Sequence, residues 1–192
     1  MEKENINLQQ GKVYTLSIEK ASLRALFLIF PIVILYAIPF YMIWGKNVLG
    51  ELKFRSLLFL FLFIVLGILL HELLHGIVWA IFSKHGFRSI HFGMKWEYFT
   101  PYCHCTESLK VWHYVLGGLA PLVFMGILPG IWALFSGNAL IMFFAIFFSC
   151  AAGGDIQSVW MLRKFRKDQL VFDHPEELGF IVVDESISDH TE

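Results

Sequence analysis

Two imidazoles stand four residues apart in His71-Glu72-Leu73-Leu74-His75, with a carboxylate directly after the first. On a helix that advances about 100° per residue, the two His lie about 40° apart around the axis and one turn apart along it. Both can reach one ion, with Glu72 beside them. In zinc hydrolases with this spacing the metal lowers the pKa of a water molecule to about 7 and the Glu takes its proton. Random shuffling of 8 His and 11 Glu over 192 positions gives the pattern roughly 0.02 times. The spacing therefore asks for a chemical reason.

Two His do not complete such a site, because catalytic zinc usually takes three protein ligands and a water. The elements that carry the motif narrow the search for the third. Hydrophobic residues make up 57% of the chain and charged residues 16%, with 20 Phe and a mean hydropathy of +0.62. Soluble domains are about a quarter charged, so too few charges remain here to cover a surface facing water. The fold class expected is all-α membrane: four transmembrane helices with a short β-hairpin or edge strand between helices two and three.

The first span is expected from Leu26 to Trp44, with Pro31 and Pro39 kinking it, and the second from Ser56 to Ser83. No Asp, Glu, Lys or Arg occurs between Lys110 and Asp155, room for two more crossings that turn at Ser136-Gly137-Asn138. Residues 1–24 then form an N-terminal segment, 25–162 the four-span membrane domain and 163–192 a small acidic tail with one apolar patch, Phe180 to Val183. Nothing in Met1 to Lys20 has the apolar core of a cleavable signal peptide. Lys3, Lys12, Lys20 and Arg24 precede span one, Lys84, Arg88, Lys95 and Lys110 lie between spans two and three, and Arg163, Lys164, Arg166 and Lys167 follow span four. Only Lys46, Lys53 and Arg55 fall on the other side, so both termini are expected in the cytoplasm of a multi-pass protein of the cell membrane. Between spans two and three, Ile90, Phe92, Met94, Trp96 and Tyr98 alternate with polar or small residues, a strand pattern whose edge could pair with an unwound substrate.

Asp155 is the only other formally charged residue inside an expected span. His71 lies roughly 22 Å and Asp155 roughly 24 Å from the outer starts of their spans at 1.5 Å per residue, so their depths agree. Gly153 and Gly154 would let neighbouring helices approach. Zn²⁺ with two neutral His, anionic Asp155 and anionic Glu72 sums to zero charge, the least costly state in a low-dielectric setting. An Asp that only hydrogen-bonds a neighbouring helix, or a polar bundle lining without metal, is the plainer alternative. Ionisable groups at mid-membrane cost a few kcal/mol each, which disfavours it.

These pieces resemble the small, multi-span putative zincin peptidases, mostly bacterial, which are similar to minimal site-2-type intramembrane metalloproteases. The resemblance rests on His71-Glu72-Leu73-Leu74-His75-Gly76, the Phe87 to Cys105 strand region, Gly117-Gly118-Leu119-Ala120-Pro121 and Gly153-Gly154-Asp155. It implies one Zn²⁺ held by His71, His75 and Asp155, with Glu72 as the catalytic base. The reaction implied is hydrolysis of peptide bonds in or near the membrane. One departure is Ile156, where site-2 proteases place a Gly after the distal Asp.

The partners expected are the lipid bilayer and a membrane-protein or membrane-associated peptide substrate. A net charge of −1 with cations confined to span borders excludes nucleic acid as a partner class. Two rivals are a non-catalytic membrane metal-binding or partner-regulating protein, which would have no need of Glu72, and a metal-transport accessory protein, which would need a polar track on the outer half. Cys103-His104-Cys105 lacks the second ligand pair of a structural zinc site, and reduced thiols are its plainer reading. His91 and His113 read as interfacial histidines and Asp173-His174-Pro175 as a solvated turn. The Phe runs face lipid or pack spans together. Trp44, Trp79, Trp112 and Trp160 read as interfacial anchors.

Overall fold

A computed structural model describes residues 11–45, 54–97, 100–174 and 178–183. Residues 1–10, Lys46 and Lys53 of the sparse cation group, Tyr98, Pro175 and the tail beyond Val183 lie outside the described residues. The charge-poor blocks form helices: α1 (Ile18–Trp44), which runs through both Pro31 and Pro39, and α2 (Phe54–Phe82).

Between α2 and the next helix the expected hairpin forms from β2 (Ile90–Lys95) and β3 (Thr100–Cys105), with Ile90 opposite Cys105. A two-residue strand, β4 (Leu109–Lys110), leads into α3 (Val111–Pro121), a π-wound segment Leu122–Ile127 and α4 (Leu128–Ser136). The π segment begins just after Pro121, whose missing N–H breaks the regular i→i−4 ladder. The chain turns where expected: Gly137 ends α4 at φ 69°, and the Asn138 side chain caps α5 (Ala139–Ala151) by accepting from the Leu140 and Ile141 amides. α6 (Gly153–Leu162) follows after a 46° bend.

Three runs, Leu23–Trp44, Phe54–Phe82 and Val111–Ser136, are long and apolar enough to cross a membrane. Where a fourth span is expected the chain forms a bent pair, α5 plus α6, which is long and apolar enough only if the two helices are taken together. Large apolar side chains cover the outside of the helices, with Phe27, Phe30 and Phe135 more than 70% exposed. A surface of that kind and extent is suited to lipid and not to water.

The expectation of an all-α protein misses a four-stranded antiparallel sheet ordered β1-β6-β5-β4, in which β1 is Gly11–Leu16, β5 is Leu170–Asp173 and β6 is Leu178–Val183. Gly11 pairs with Val183 and Leu16 with Leu178, so the first and last described strands meet. The tail is not an appendage. Phe180 and Val182 are buried in a core shared with Trp79, Tyr114 and Leu162, so the described strands at either end of the chain pack on the helical body. Each strand is short and β1 has its partner at the far end of the chain, which leaves no local hairpin signal to read there.

Candidate metal centre

His71 and His75 lie one turn apart on α2 and are both buried. The His71 ring lies 6.3 Å from that of Phe148, which is fully buried on α5, and His75 stacks on Trp79 at 5.4 Å. Asp155 sits in the first turn of α6, where helix N–H groups favour a carboxylate. Its Oδ2 is 3.2 Å from His71 Nε2 and its Oδ1 is 3.5 Å from His75 Nε2. One donor atom from each of the three residues lies within 4.8 Å of the others. The structure thus brings together the three residues singled out from the sequence.

Two glycines of α3 make this approach possible. A Cβ on Gly117 would fall 2.1 Å from the Trp79 indole of α2, and one on Gly118 would fall 3.3 Å from Val159 of α6. With no side chain toward either neighbour, α3 lets α2 and α6 close around the site. Gly153 has a different task from the one read into it: it lies against Ala25 of α1, 3.2 Å from the position of its absent Cβ.

His75 Nδ1 donates to the Gly117 carbonyl at 2.8 Å, which leaves the Nε2 lone pair facing Asp155. In a regular α-helix that carbonyl would accept the N–H of residue 121, and residue 121 is Pro. A missing backbone donor in α3 therefore frees the acceptor that orients a histidine of α2.

Two imidazoles and a carboxylate form a donor set suited to zinc. Two ligands bound at about 2.0–2.1 Å to one tetrahedral zinc lie about 3.3–3.4 Å apart; each His Nε2 is near that distance from one Asp155 oxygen, 3.2 Å for His71 to Oδ2 and 3.5 Å for His75 to Oδ1, and a set with one atom per residue falls within 4.8 Å. The residues present fit the ion.

Glu72 lies beside this cluster and lines the same cavity, of ≈ 310 Å³, as His71, His75 and Asp155. The opposite wall is β3. Thr106 N donates to Ser89 O at 2.9 Å, which fixes the ladder so that residues 100, 102 and 104 pair with β2. Pro101, Cys103 and Cys105 turn their backbone groups outward. Pro101 has no N–H, the Cys103 amide lies toward the Glu72 carboxylate, and the Cys105 amide donates to Asp173 Oδ2 at 3.4 Å. The strand wall of this cavity is mostly β3, with Lys95 of β2 at its margin, and Glu72 also lines a second cavity with Phe92, Gly93 and Met94 of β2.

The family model for putative zincin peptidases matches residues 63–170, more than half of the chain, including the whole His71 to His75 motif and Asp155. The chain belongs to the putative zincin peptidase family. No curated protein and no solved structure matches it. Zincin membership implies a zinc-dependent metallopeptidase, in keeping with the donor set.

A second polar group in this zincin joins residues that the sequence suggested were separate. Asp173 ends β5 and is not a solvated turn residue: Oδ1 accepts from the Tyr114 hydroxyl at 2.7 Å and Oδ2 from His104 Nδ1 at 2.9 Å. Tyr114 in turn stacks on Trp79 at 5.1 Å and its carbonyl accepts from Trp79 Nε1 at 3.2 Å. Trp79 is therefore a core residue and not an interfacial anchor, whereas Trp112 and Trp160 are exposed. Cys103 and Cys105 are free thiols. Burial pushes the Cys103 thiol well above its usual value, and the Glu72 and Asp173 carboxylates add to the shift, so it stays protonated. His91 is exposed and His113 stacks on Phe82 at 3.9 Å; neither lines the cavity.

Proposed function

We propose that this protein is a zinc-dependent intramembrane peptidase of the site-2-protease type, in which His71, His75 and Asp155 hold one Zn²⁺ and Glu72 is the general base. The observation that carries the reading is the meeting of those three side chains in a cavity that Glu72 also lines. A bound zinc ion supplies Lewis acidity there, polarising a carbonyl and easing loss of a proton from water. Glu72 accepts the water proton and returns it to the leaving amine. The Gly117 carbonyl keeps His75 in one tautomer, and Phe148 and Trp79 hold the two rings in place.

The membrane setting is supported by three long apolar helices and their exposed apolar faces. The pairing of β1 with β6 supports an even number of crossings between those two strands. That favours counting α5 plus α6 as the fourth, and the Lys and Arg distribution favours the cytoplasm for both ends. A partner-regulating or metal-transport accessory role would leave Glu72, beside the cluster and facing its cavity, without a task.

Elemental analysis and cleavage of a model membrane peptide by detergent-purified variants test the reading together. Glu72→Ala is expected to keep its zinc and lose cleavage by about 10²–10⁴-fold. Undiminished cleavage by Glu72→Ala, or no zinc in the wild type, would overturn it.

A further inference from the structure

Resting on that reading, we propose that His104 is a substrate-binding residue of the same cavity, accepting a backbone N–H of the peptide at Nε2. Asp173, as a carboxylate, can only accept at His104 Nδ1, so that nitrogen carries the hydrogen, and in the neutral ring Nε2 keeps its lone pair. Nε2 makes no hydrogen bond among the described residues, and His104 lines the cavity that holds Glu72 and the three-residue cluster. Asp173 is the positioning residue. It is itself fixed by the Tyr114 hydroxyl and the Cys105 amide, so the imidazole is held from a rigid strand end.

The rest of the wall points to the same ligand chemistry. Along the outer edge of β3, Pro101 has no N–H, the Cys103 N–H lies toward the Glu72 carboxylate and the Cys105 N–H donates to Asp173. What the edge still offers are the carbonyls of Pro101 and Cys103. An extended peptide lying along β3 therefore finds acceptors and no backbone donors: its N–H groups are bound, while the carbonyl that a full ladder would have paired with Cys103 is left free beside Glu72. The site selects a stretch of peptide by its amide hydrogens and leaves a carbonyl open to attack.

A backbone-ester scan tests this on the full chain in detergent. The probe is a 20-residue Leu- and Ala-rich membrane peptide and a series in which each central amide N–H in turn is replaced by an ester oxygen. Affinities are measured with the zinc-loaded Glu72→Gln protein, so that no peptide is consumed. We expect an ester at one position to weaken binding about tenfold, the value of one well-made hydrogen bond. With His104→Ala or the ring-retaining His104→Phe added, amide and ester should bind alike at that position only, with zinc per chain unchanged. An identical ester pattern with and without His104, or no peptide binding at all, would overturn the inference. Cleavage by the wild type is scored separately. Zinc-dependent cleavage with a flat scan removes only the role of His104, whereas a His104-dependent scan without cleavage removes the peptidase reading and leaves a peptide-binding site.

Discussion

Asp155 and Asp173 are two shielded carboxylates that line one cavity and bond imidazoles, yet they belong to different kinds of structure. Asp155 stands at the start of a helix deep in the apolar body, between two histidines whose atoms can share an ion. Asp173 stands at the end of a strand in the terminal sheet and accepts from a tyrosine, a histidine and an amide. The first arrangement gathers electron pairs toward a cation. The second consumes hydrogens from its neighbours and so has none of the open character that metal binding needs. A carboxylate in a cavity is thus defined by whether its surroundings offer lone pairs or donors.

The sharpest way to break that contrast is to remove each carboxylate in turn. Asp155→Ala and His71→Ala should lose their zinc by elemental analysis and cleave a membrane peptide at least about 10³-fold more slowly, because two donors rarely hold catalytic zinc. Asp173→Ala should keep zinc near one per chain but unfold more easily by about 2–4 kcal/mol in denaturant titration, since Tyr114 and His104 lose their shared acceptor. Should Asp173→Ala lose zinc as completely as Asp155→Ala, the two carboxylates would not be separable in this way.

A smaller effect is expected from Pro121→Ala. The restored N–H would compete for the Gly117 carbonyl and loosen His75, weakening zinc binding about 10-fold in competition with a chelator, without loss of fold. The smallest concerns Glu107, far from the cluster. It accepts from the Lys84 amide at 2.7 Å, from Ser89 Oγ at 2.7 Å and from the His85 ring. Partial burial pushes its carboxyl up, but these hydrogen bonds outweigh burial and hold it below the usual value. Its contribution is therefore complete above the unfolded value of 4.5 and lost as pH falls through the lower folded one. Glu107→Gln should cost about 1–2 kcal/mol at pH 7 and less below pH 4, read as a shift in the denaturation midpoint.

The same contrast explains what could be read from residues alone. Asp155 was legible because a charge within an apolar stretch is costly, so its presence demands a reason. Asp173 lies in an acidic tail, where a carboxylate costs nothing, and its donors Tyr114 and His104 are 59 and 69 residues away. The His71 to His75 spacing was legible because a helix converts it directly into a shared face. The hairpin followed from its period-two pattern. The terminal sheet was not legible because β1 and β6 carry no signal of one another, and the role of Gly117 lay hidden because it depends on Trp79 of one helix and Pro121 of its own.

Because β6 closes against β1 and holds β5, the wall that carries Asp173 cannot form until the whole stretch from β1 to β6 has been made. A growing chain that ends before β5 would already carry His71 and His75 on α2, but no Asp173 to hold His104. The metal ligands of α2 are thus made well before the strand that fixes the opposite wall of their cavity.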